Sequence, residues 1–436
     1  MAPSAPAKSE FVRRRRGALD AARKAGLDGL LVTHPPDIRY LCGFSGSSGM
    51  LLLSRDGAYL ITDFRYREQS CLEVVGAKAV IREDGFAEAV RDVVQRGVLK
   101  RVPFDGRDGA RGGIAGVDAG ASRGAGRSAQ RAGFERDGTG DVGRASGREG
   151  RGSGGGASRE GGEKEGSPIS LGFDPEHLPY AEVVRLRRHL GGSARLVPVK
   201  GSPTAMRAVK SRVELETVRR GTDVAEKALR EALGRVDASF TEARLAAELD
   251  HAARVLGAEA LSFETIVASG RRGALVHARP SRNRLAGVAV IDWGIVLEGY
   301  CTDSTRTVAF GRVPAELRKA HALVLEAQER ALGATGPGVK AEEVDRAARS
   351  VIEAAGYGKA FGHGLGHGVG LEVHERPHVA PRSDDVLEEG MVFTIEPGIY
   401  LPGVGGVRVE DMAVVTRDGA ELLTSLPRTL DPADYL

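Results

Sequence analysis

The sequence predicts two domains, an α/β domain followed by an α+β domain. At 436 residues the chain is longer than one hydrophobic core normally supports, and its 41% hydrophobic residues suffice for two cores. Strand and helix patterns alternate in the first part, whereas the second part has long helical patterns followed by β-runs with glycine-rich turns. We therefore place the first domain at residues 8–200 and the second at residues 205–430.

The first domain begins with an amphipathic helix. The arginines Arg13 to Arg16 precede GALDAARKAGLDG, in which charged residues interrupt the apolar ones. The run DGLLVT, ending at Pro35-Pro36, predicts a strand, and GMLLLS and AYLIT on either side of the turn Asp56-Gly57 predict a β-hairpin. LGFDPEHLPYAEVVRLRRHL then predicts a strand that leads into a helix.

An insertion interrupts the first domain at residues 105–167. Glycine supplies 21 of its 63 residues, large apolar side chains are almost absent, and there is no strict Gly-X-Y period. Such a segment cannot offset the entropy of ordering, so we predict that it is disordered. Its 11 Lys and Arg are balanced by 10 Asp and Glu, and a set of interleaved aromatic side chains is lacking, since Phe134 is its one aromatic residue. An RNA-binding role is therefore disfavoured.

The second domain contains four helical patterns before and among its β-runs. They span Val213–Leu233, Thr241–Leu256, Ala315–Leu332 and Lys340–Ala355. Beyond Phe263 the remaining pattern is β with glycine-rich turns. Every motif that suggests chemistry lies in this domain.

Composition excludes several classes of protein. A net charge of +3 gives no global reason to expect nucleic acid or an anionic membrane as a partner. Cys42, Cys71 and Cys301 are scattered and lack C-x-x-C spacing, which argues for a reducing compartment and against a disulfide framework or a thiolate zinc site. No continuous apolar stretch has the length of a signal-peptide core or a membrane span. We expect a soluble, cytoplasmic protein.

The segment HERPH, residues 374–378, matches the zinc-protease pattern H-E-x-x-H letter for letter. That pattern requires both histidines on one face of a continuous helix. Pro377 lacks a backbone N–H and pushes Arg376 toward an extended conformation, so a helix would break between the two histidines. We therefore reject the zincin interpretation, and His374 needs another explanation.

Two pairs of acidic residues interrupt apolar β-runs. Asp292 and Asp303 flank a turn at Glu298-Gly299, so a hairpin would set them roughly opposite each other. Directly opposed residues have Cβ atoms about 5 Å apart, where two carboxylates repel unless a cation lies between them. Further along, Glu396 ends one predicted strand and Glu410 lies inside the next. Because an unpaired charge in such a run is costly, the four acidic residues together indicate a metal site.

Three histidines, His363, His367 and His374, lie between these two hairpins in FGHGLGHGVGLEVHERP. The glycines disfavour a helix and leave the backbone free to approach a ligand closely. One imidazole added to four carboxylates describes an oxygen-rich site for two divalent ions, which suits Mn, Co, Fe or Zn.

Five segments of the second domain form a specific set: IDWG, GYCTDSTRT, GHGLGHGVGLEVHERP, FTIEPGIY and GVRVED. This set resembles the pita-bread metallopeptidases, the family of methionine aminopeptidase, aminopeptidase P and prolidase. PPDIRYLCGFSGSSG and TDFRYREQ look like the creatinase-type N-terminal domain of the aminopeptidase P and prolidase branch. The resemblance covers nearly the whole chain apart from the insertion. It implies an α/β N-terminal domain plus an α+β C-terminal pita-bread (creatinase/aminopeptidase) catalytic domain.

The resemblance implies which side chains bind metal. The family's five ligands correspond to Asp292, Asp303, His367, Glu396 and Glu410. By this resemblance Asp303 and Glu410 bridge two ions and Asp292 binds one of them, whereas His367 and Glu396 bind the other. Manganese is the expected metal, with Co, Zn or Fe as alternatives.

The resemblance also implies which residues act on the peptide. His374 corresponds to the histidine at the scissile carbonyl or the tetrahedral intermediate, and His277 in GALVHARPS to the histidine near the leaving nitrogen. His363, Tyr400 and Arg408 correspond to residues of the substrate pocket. Two alternatives stay open, since His277 could be an ordinary loop residue and Arg408 could brace a neighbouring carboxylate.

The implied function is hydrolysis of the bond between an N-terminal residue and a following proline. Two ions about 3.5 to 4 Å apart would share a water and lower its pKa toward about 7, giving a bridging hydroxide that attacks the carbonyl. Glu396 would carry the proton to the leaving nitrogen, and His374 would stabilise the oxyanion. We expect an Xaa-Pro aminopeptidase, with an Xaa-Pro dipeptidase (prolidase) as the alternative. The substrate would be a peptide with proline in the second position, and a homodimer or higher homo-oligomer is expected from the resemblance alone.

One segment departs from the family pattern. Where relatives commonly have asparagine and serine, this chain has ASGRRGALVHA with Arg271 and Arg272, whose charges near the substrate entrance would favour an acidic residue or a free carboxylate. His378 matches no family position. Two further classes, a metal-free creatinase-like hydrolase and a non-catalytic binding member of the fold, are disfavoured because all five ligands are present.

Overall fold

The computed structural model describes residues 7–98, 168–200 and 202–436. The insertion that we predict to be disordered, at residues 105–167, lies outside the described residues. The helices of the described part are α1 (Lys8–Lys24), α2 (Pro35–Cys42), α3 (Arg67–Glu73), α4 (Phe86–Val93), α5 (Tyr180–Leu190), α6 (Ser202–Arg207), α7 (Arg212–Gly234), α8 (Glu242–Val255), α9 (Ala315–Ala334) and α10 (Ala341–Ala354).

Within the described ranges, the strands belong to one large N-terminal sheet and four smaller sheets. Strands of the first sheet are β1 (Gly29–Val32), β2 (Met50–Ser54), β3 (Gly57–Asp63), β4 (Lys78–Arg82), β5 (Ile169–Phe173) and β6 (Ala194–Pro198). Those of the smaller sheets are β7 (Ala260–Leu261), β8 (Ile266–Ser269), β9 (Val288–Trp293), β10 (Ile295–Leu297), β11 (Tyr300–Cys301), β12 (Ser304–Ala309), β13 (Gly366–Gly368), β14 (Glu375–Val379), β15 (Val392–Ile395), β16 (Gly398–Leu401), β17 (Gly405–Arg408), β18 (Asp411–Thr416) and β19 (Gly419–Leu422).

The N-terminal sheet is mixed and has the strand order β4-β3-β2-β1-β5-β6. Strands β2 and β3 pair antiparallel as predicted, with Ser54 opposite Gly57 at the turn. Along β1, Leu30 and Leu31 enter hydrophobic clusters on opposite faces of the sheet. Because both faces are covered, the central strands are continuous apolar runs that do not alternate with polar residues.

Helix α2 is absent from the sequence prediction, which took Pro35-Pro36 only as the end of a strand. Two prolines begin this helix. The first N–H groups of a helix have no intrahelical acceptor, so proline, which lacks an N–H, loses no hydrogen bond at this position. The helix ends at Cys42, and the following residue, Gly43, has a φ of +85°, the left-handed conformation that glycine adopts most easily.

The four helices predicted in the second part are confirmed as α7, α8, α9 and α10, within two residues at each end. Ser211 caps α7 in a capping box with Glu214, and Thr241 caps α8. Helices α7 and α8 share a hydrophobic cluster with β9, and α9 and α10 share another with β15.

One side of these strands packs against the helices, and this packing determines to which side their acidic residues point. Ile291, Ile395 and Val409 pack into the hydrophobic clusters beneath the helices. Neighbouring residues of an extended chain point to opposite sides, so the carboxylate that follows each of them is turned away from that core. Asp292, Glu396 and Glu410 therefore all line one cavity.

Among residues 7–98, 168–200 and 202–436, none of the helices combines the length and the hydrophobicity that crossing a bilayer requires.

Candidate active site

Asp292 and Asp303 lie on a hairpin that is split into two strand pairs. Its tip is the predicted turn, where Glu298 and Gly299 have φ values of +49° and +79°, and β10 pairs with β11 on either side of it. The pairing of β10 with β11 is interrupted at Thr302, because the Thr302 hydroxyl, in place of a backbone carbonyl, accepts the hydrogen bond of the Ile295 N–H at 3.0 Å. Beyond this point β9 pairs with β12, with Asp292 opposite Thr305. Asp303 is thus two positions from the residue facing Asp292, so the two aspartates lie roughly opposite each other, as predicted, without being directly paired.

Glu396 and Glu410 meet through the pairing of β15 with β18. The last pair of this ladder is Ile395 opposite Asp411, so continuing the register by one residue sets Glu396 beside Glu410. Glu410 lies immediately before β18, whereas the sequence prediction placed it inside the strand. Its N–H donates to the Thr305 carbonyl at 3.1 Å, which joins this ladder to the hairpin of Asp292 and Asp303.

All five predicted metal ligands line a single cavity of about 710 Å³. Ligand atoms of Asp303, His367 and Glu410 lie within 4.8 Å of one another. The Nε2 atom of His367 lies 3.5 Å from Oδ2 of Asp303 and 3.4 Å from Oε1 of Glu396. We call Asp292, Asp303, Glu396 and Glu410, with His367, the carboxylate cluster.

Strand β13 brings His367 into the cluster through close backbone contacts. A Cβ atom on Gly366 would lie 1.9 Å from the Thr394 carbonyl oxygen, so only glycine fits before the histidine. The Nδ1 atom of His367 is 3.2 Å from the Gly368 carbonyl. With the proton on Nδ1, the lone pair of Nε2 faces the carboxylates, as a metal-binding imidazole requires.

Two threonines that the sequence analysis does not identify orient the carboxylates. The Thr305 hydroxyl donates to Oε2 of Glu410 at 2.7 Å and accepts from Nε of Arg408 at 3.0 Å. The Thr394 hydroxyl donates to Oε1 of Glu396 at 3.2 Å. For Thr305 the available signal is the polar run STRT in β12, because buried hydroxyl groups need hydrogen-bond partners.

The electrostatics of the carboxylate cluster favour bound cations. Burial raises the pKa of Asp292, and the pKa values of Asp303 and Glu410 rise further because each also faces other carboxylates. Burial raises the pKa of Glu396 to about 7. Among the described residues, Oδ1 of Asp292 is buried without a hydrogen-bond partner. Divalent cations would supply the missing charge and partners, so these residues fit a metal centre with hard, oxygen-rich coordination.

Arg408, Tyr400 and His363 form a hydrogen-bonded chain at the side of the cluster. Arg408 is buried and forms an ion pair with Asp292, and its NH1 donates to the Tyr400 hydroxyl at 2.9 Å. That hydroxyl is 3.0 Å from Nε2 of His363, whose Nδ1 is 2.7 Å from the Gly364 carbonyl. Burial lowers the pKa of His363 to about 4, so its imidazole is neutral and accepts from Tyr400. Arg408 thus braces Asp292, as the alternative in the sequence analysis states.

Of the three residues predicted for the substrate pocket, His363 and Arg408 line the cavity, whereas Tyr400 is buried behind them. Tyr400 contacts both through its hydroxyl group. Tyr400 therefore supports two residues of the cavity wall and does not itself line the cavity.

His374 and His277 are exposed at the cavity wall. The ring centroid of His374 is 4.3 Å from that of His367. Burial, and then the neighbouring His277, lower the pKa of His374. HERPH is not helical, because residues 375–379 form strand β14, which confirms the rejection of the zincin interpretation.

The sequence analysis sets His378 aside, but the structure places it on the cavity wall. In β14 the buried residues Glu375, Pro377 and Val379 alternate with exposed ones, and His378 lies opposite His367. Period-two alternation in HERPH, once the helix is rejected, is the signal that could have identified it.

Arg271 and Arg272 are not among the residues that line the cavity, and the effect of their charges on the choice of substrate stays a prediction. Nε of Arg272 donates to Oε2 of Glu242 at 3.0 Å. Glu242 is fully buried, so its carboxylate needs this partner, and the arginine is engaged there. Arg279 is the neighbouring arginine that does line the cavity.

The fold and this site together define a metallopeptidase of the pita-bread class with a creatinase-type N-terminal domain. The chain belongs to metallopeptidase family M24: residues 216–417 match the model of that family, and residues 14–108 match the creatinase/prolidase N-terminal domain. Membership implies a peptide-bond hydrolase that uses divalent metal ions.

Known proteins similar to this chain agree with this class. The peptidase YqhT of Bacillus subtilis is 32% identical over 93% of this chain and 96% of its own length. An Xaa-Pro dipeptidase of Pyrococcus furiosus is 42% identical over 52% of this chain and 65% of its own length. Among solved structures, the Xaa-Pro dipeptidase from Bacillus anthracis matches with a TM-score of 0.78 at 30% identity, covering 97% of this chain and 99% of that one. The X-Pro aminopeptidase from Thermotoga maritima matches with a TM-score of 0.73 at 31% identity, covering 94% and 99%.

Proposed function

We propose that this protein is a metal-dependent Xaa-Pro dipeptidase, which hydrolyses the bond between the two residues of a dipeptide ending in proline. The observation that carries the hydrolytic assignment is the buried carboxylate cluster, in which four carboxylates and one imidazole line one cavity. The sequence analysis favours the aminopeptidase, but Xaa-Pro dipeptidases are the more frequent among the similar proteins, which reverses that order.

Asp292, Asp303, His367, Glu396 and Glu410 would hold two divalent ions, with Mn as the expected metal. When bound, the ions supply an activated water and polarise the scissile carbonyl. His367 suits this role because burial lowers its pKa to about 4, which keeps the imidazole neutral. Arg408 and Thr305 fix the orientations of Asp292 and Glu410 through their hydrogen bonds.

Four side chains act on the peptide. Glu396 transfers the proton to the leaving nitrogen, since its carboxylate lines the cavity and lies 3.4 Å from Nε2 of His367. His374 donates a hydrogen bond to the oxyanion. His277 lines the same wall of the cavity and acts near the leaving nitrogen. His363 borders the place of the proline ring, held by Tyr400.

The cavity wall also suits the free carboxylate of a dipeptide. Arg279 and His378 both line it, together with Glu264, whose Oε2 is 3.7 Å from Nε of Arg279. A dipeptide places a negative charge directly after proline, whereas a longer peptide places a neutral amide there. A contact between Arg279 and this carboxylate would therefore favour the shorter substrate.

The test is hydrolysis of Ala-Pro, Ala-Pro-Ala and Ala-Pro amide by the metal-free protein after addition of Mn²⁺. We expect Ala-Pro to have a kcat/KM at least about 100-fold above those of the other two, since a lost charge-assisted contact costs about 2 to 3 kcal/mol. Excess chelator should remove the activity, and Ala-Ala serves as the control for proline selectivity.

Equal or faster cleavage of Ala-Pro-Ala would instead support an Xaa-Pro aminopeptidase. The observation that keeps this second candidate is the similarity to the X-Pro aminopeptidase from Thermotoga maritima. Activity that persists without metal would support a metal-free hydrolase.

A further inference from the structure

A second buried cluster of charges lies beside the active site. It joins the N-terminal sheet region, the segment around α6 and the loop that carries His374. We call it the junction cluster; its members are His34, Asp37, Arg207, Lys210, Glu372 and Glu375.

Arg207 is the centre of the junction cluster. Its side chain is 2% exposed, and its NH1 donates to Oδ1 of Asp37 on α2 at 2.7 Å. Its NH2 donates to Oε2 of Glu375 at 2.8 Å and also binds Glu372. One guanidinium thus contacts three carboxylates from two parts of the chain.

The remaining members complete the pairing of charges. Nζ of Lys210 is 2.7 Å from Oε1 of Glu375. His34 lies between Oδ2 of Asp37, at 3.4 Å, and Oε1 of Glu372, at 3.1 Å. Three basic side chains therefore face three carboxylates within the cluster.

The junction cluster holds both ends of a short segment that contains His374. Glu372 and Glu375 are two residues before and one residue after this histidine. Residues 370–374 form neither helix nor strand, so a regular hydrogen-bond ladder does not fix them. Gly370 is held by backbone hydrogen bonds, and Glu375 pairs with Gly368 in the ladder of β13 and β14. The ion pairs of Glu372 and Glu375 add to these contacts on either side of His374 and so help to set where its imidazole lies in the cavity.

We propose that Arg207 is a positioning residue for His374, acting through Glu372 and Glu375. This inference rests on the proposed function, in which His374 stabilises the oxyanion. An imidazole displaced by about 1 Å loses a hydrogen bond that forms in the transition state, so kcat falls while KM changes little.

The test measures the kinetics of Ala-Pro hydrolysis by Arg207→Gln in two backgrounds. In the wild-type background we expect kcat to fall about 10- to 100-fold, the range for residues that orient a reacting group, with KM changed less than about threefold. In the His374→Ala background the same substitution should change kcat less than about twofold, because the imidazole that Arg207 positions is absent. Arg207→Lys should recover part of the rate.

Arg14→Gln is the matched control. Arg14 is also a buried arginine, 4% exposed, whose NH2 is 3.0 Å from Oε2 of Glu214, and none of its ion-pair partners flanks His374. We expect its kcat to stay near the wild-type value. If Arg207→Gln does not fold, Glu372→Gln replaces it, because the Glu372 side chain is 32% exposed, with an expected three- to tenfold loss of kcat.

A second readout is independent of activity. Hydrogen exchange of peptides covering residues 369–376 should be at least about tenfold faster in Arg207→Gln than in wild type, and unchanged in Arg14→Gln. A rate loss of equal size in both kinetic backgrounds overturns the proposal and leaves the proposed function intact. If the wild-type protein cleaves no Xaa-Pro peptide, the proposed function fails, and exchange decides alone: faster exchange supports the anchoring, and unchanged exchange overturns it.

Discussion

The carboxylate cluster and the junction cluster are both buried and both rich in acidic residues, but their charges are arranged in opposite ways. In the junction cluster three carboxylates face Arg207, Lys210 and His34 at hydrogen-bonding distances. In the carboxylate cluster, within the described part of the chain, the guanidinium of Arg408 forms an ion pair with Asp292, and the other three carboxylates have no arginine or lysine partner.

The difference separates a structural use of buried charge from a functional one. A buried ion pair must be balanced, because each unpaired charge has a large desolvation energy. The junction cluster meets this requirement with protein groups alone, which fits a role in holding elements together. The carboxylate cluster does not meet it, so its charge calls for cations from solution.

In the carboxylate cluster, Glu396→Gln should have the largest effect on the rate of hydrolysis. The amide cannot accept or transfer a proton, so kcat for Ala-Pro should fall about 100- to 10,000-fold while the fold is retained. Kinetics with saturating Mn²⁺, together with circular dichroism, check this. A variant with wild-type kcat would remove Glu396 from its assigned role.

Two Glu→Gln substitutions should shift the stability of the metal-free protein in opposite directions. Glu375→Gln removes the carboxylate with which both Arg207 and Lys210 form ion pairs, and it should lower the free energy of unfolding by about 3 to 5 kcal/mol. Glu410→Gln removes repulsion and should raise it by about 1 kcal/mol. Urea unfolding with chelator present measures both values. Destabilisation by both substitutions to the same extent would erase the distinction between the clusters.

The pH dependence of the metal-free protein follows from the raised carboxyl pKa values. Glu396, with a pKa of about 7 in the folded state, binds more protons there than in the unfolded state, where its pKa is near 4.5. Its stabilising contribution is therefore complete below about pH 4.5 and is lost as the pH rises through 7, amounting to up to about 3 kcal/mol. Unfolding midpoints measured with chelator from pH 5 to 8 should fall, and Mn²⁺ should flatten the curve. A rise over the same range would show the opposite linkage.

His34 should give a smaller effect at alkaline pH. Burial alone would lower its pKa, but the hydrogen bonds to Asp37 and Glu372 outweigh burial and raise the pKa to about 9. The stabilisation is complete below about pH 6.5 and is lost as the pH rises through 9, by about 1 kcal/mol after allowance for solvent screening. Comparison of wild type with His34→Asn between pH 7 and 10 checks this, since the variant should lack that decline.

The sequence predicts most of the carboxylate cluster because an acidic residue in an apolar β-run stands out. It predicts the four long helices for a similar reason, since their 3.6-residue periodicity is local. The split of the hairpin at Thr302 depends on a side chain that replaces a backbone acceptor, which periodicity does not show.

The junction cluster shows the limit of sequence reasoning more clearly. Asp37 and Arg207 are 170 residues apart, and Glu375 follows 168 residues later. Charged residues in helices and loops normally face solvent, so nothing local marks these as buried partners. The roles of the ligands and histidines remain predictions that the experiments above address.

The most direct test of the central claim is a calorimetric titration of the metal-free protein with Mn²⁺. We predict that about two ions bind per chain, and that binding at the second site is lost in Asp303→Asn, because the family resemblance assigns Asp303 to both ions. Failure of the wild-type protein to bind Mn²⁺ or any of Co²⁺, Zn²⁺ and Fe²⁺, or binding unchanged by Asp303→Asn, would contradict a metal centre at the carboxylate cluster.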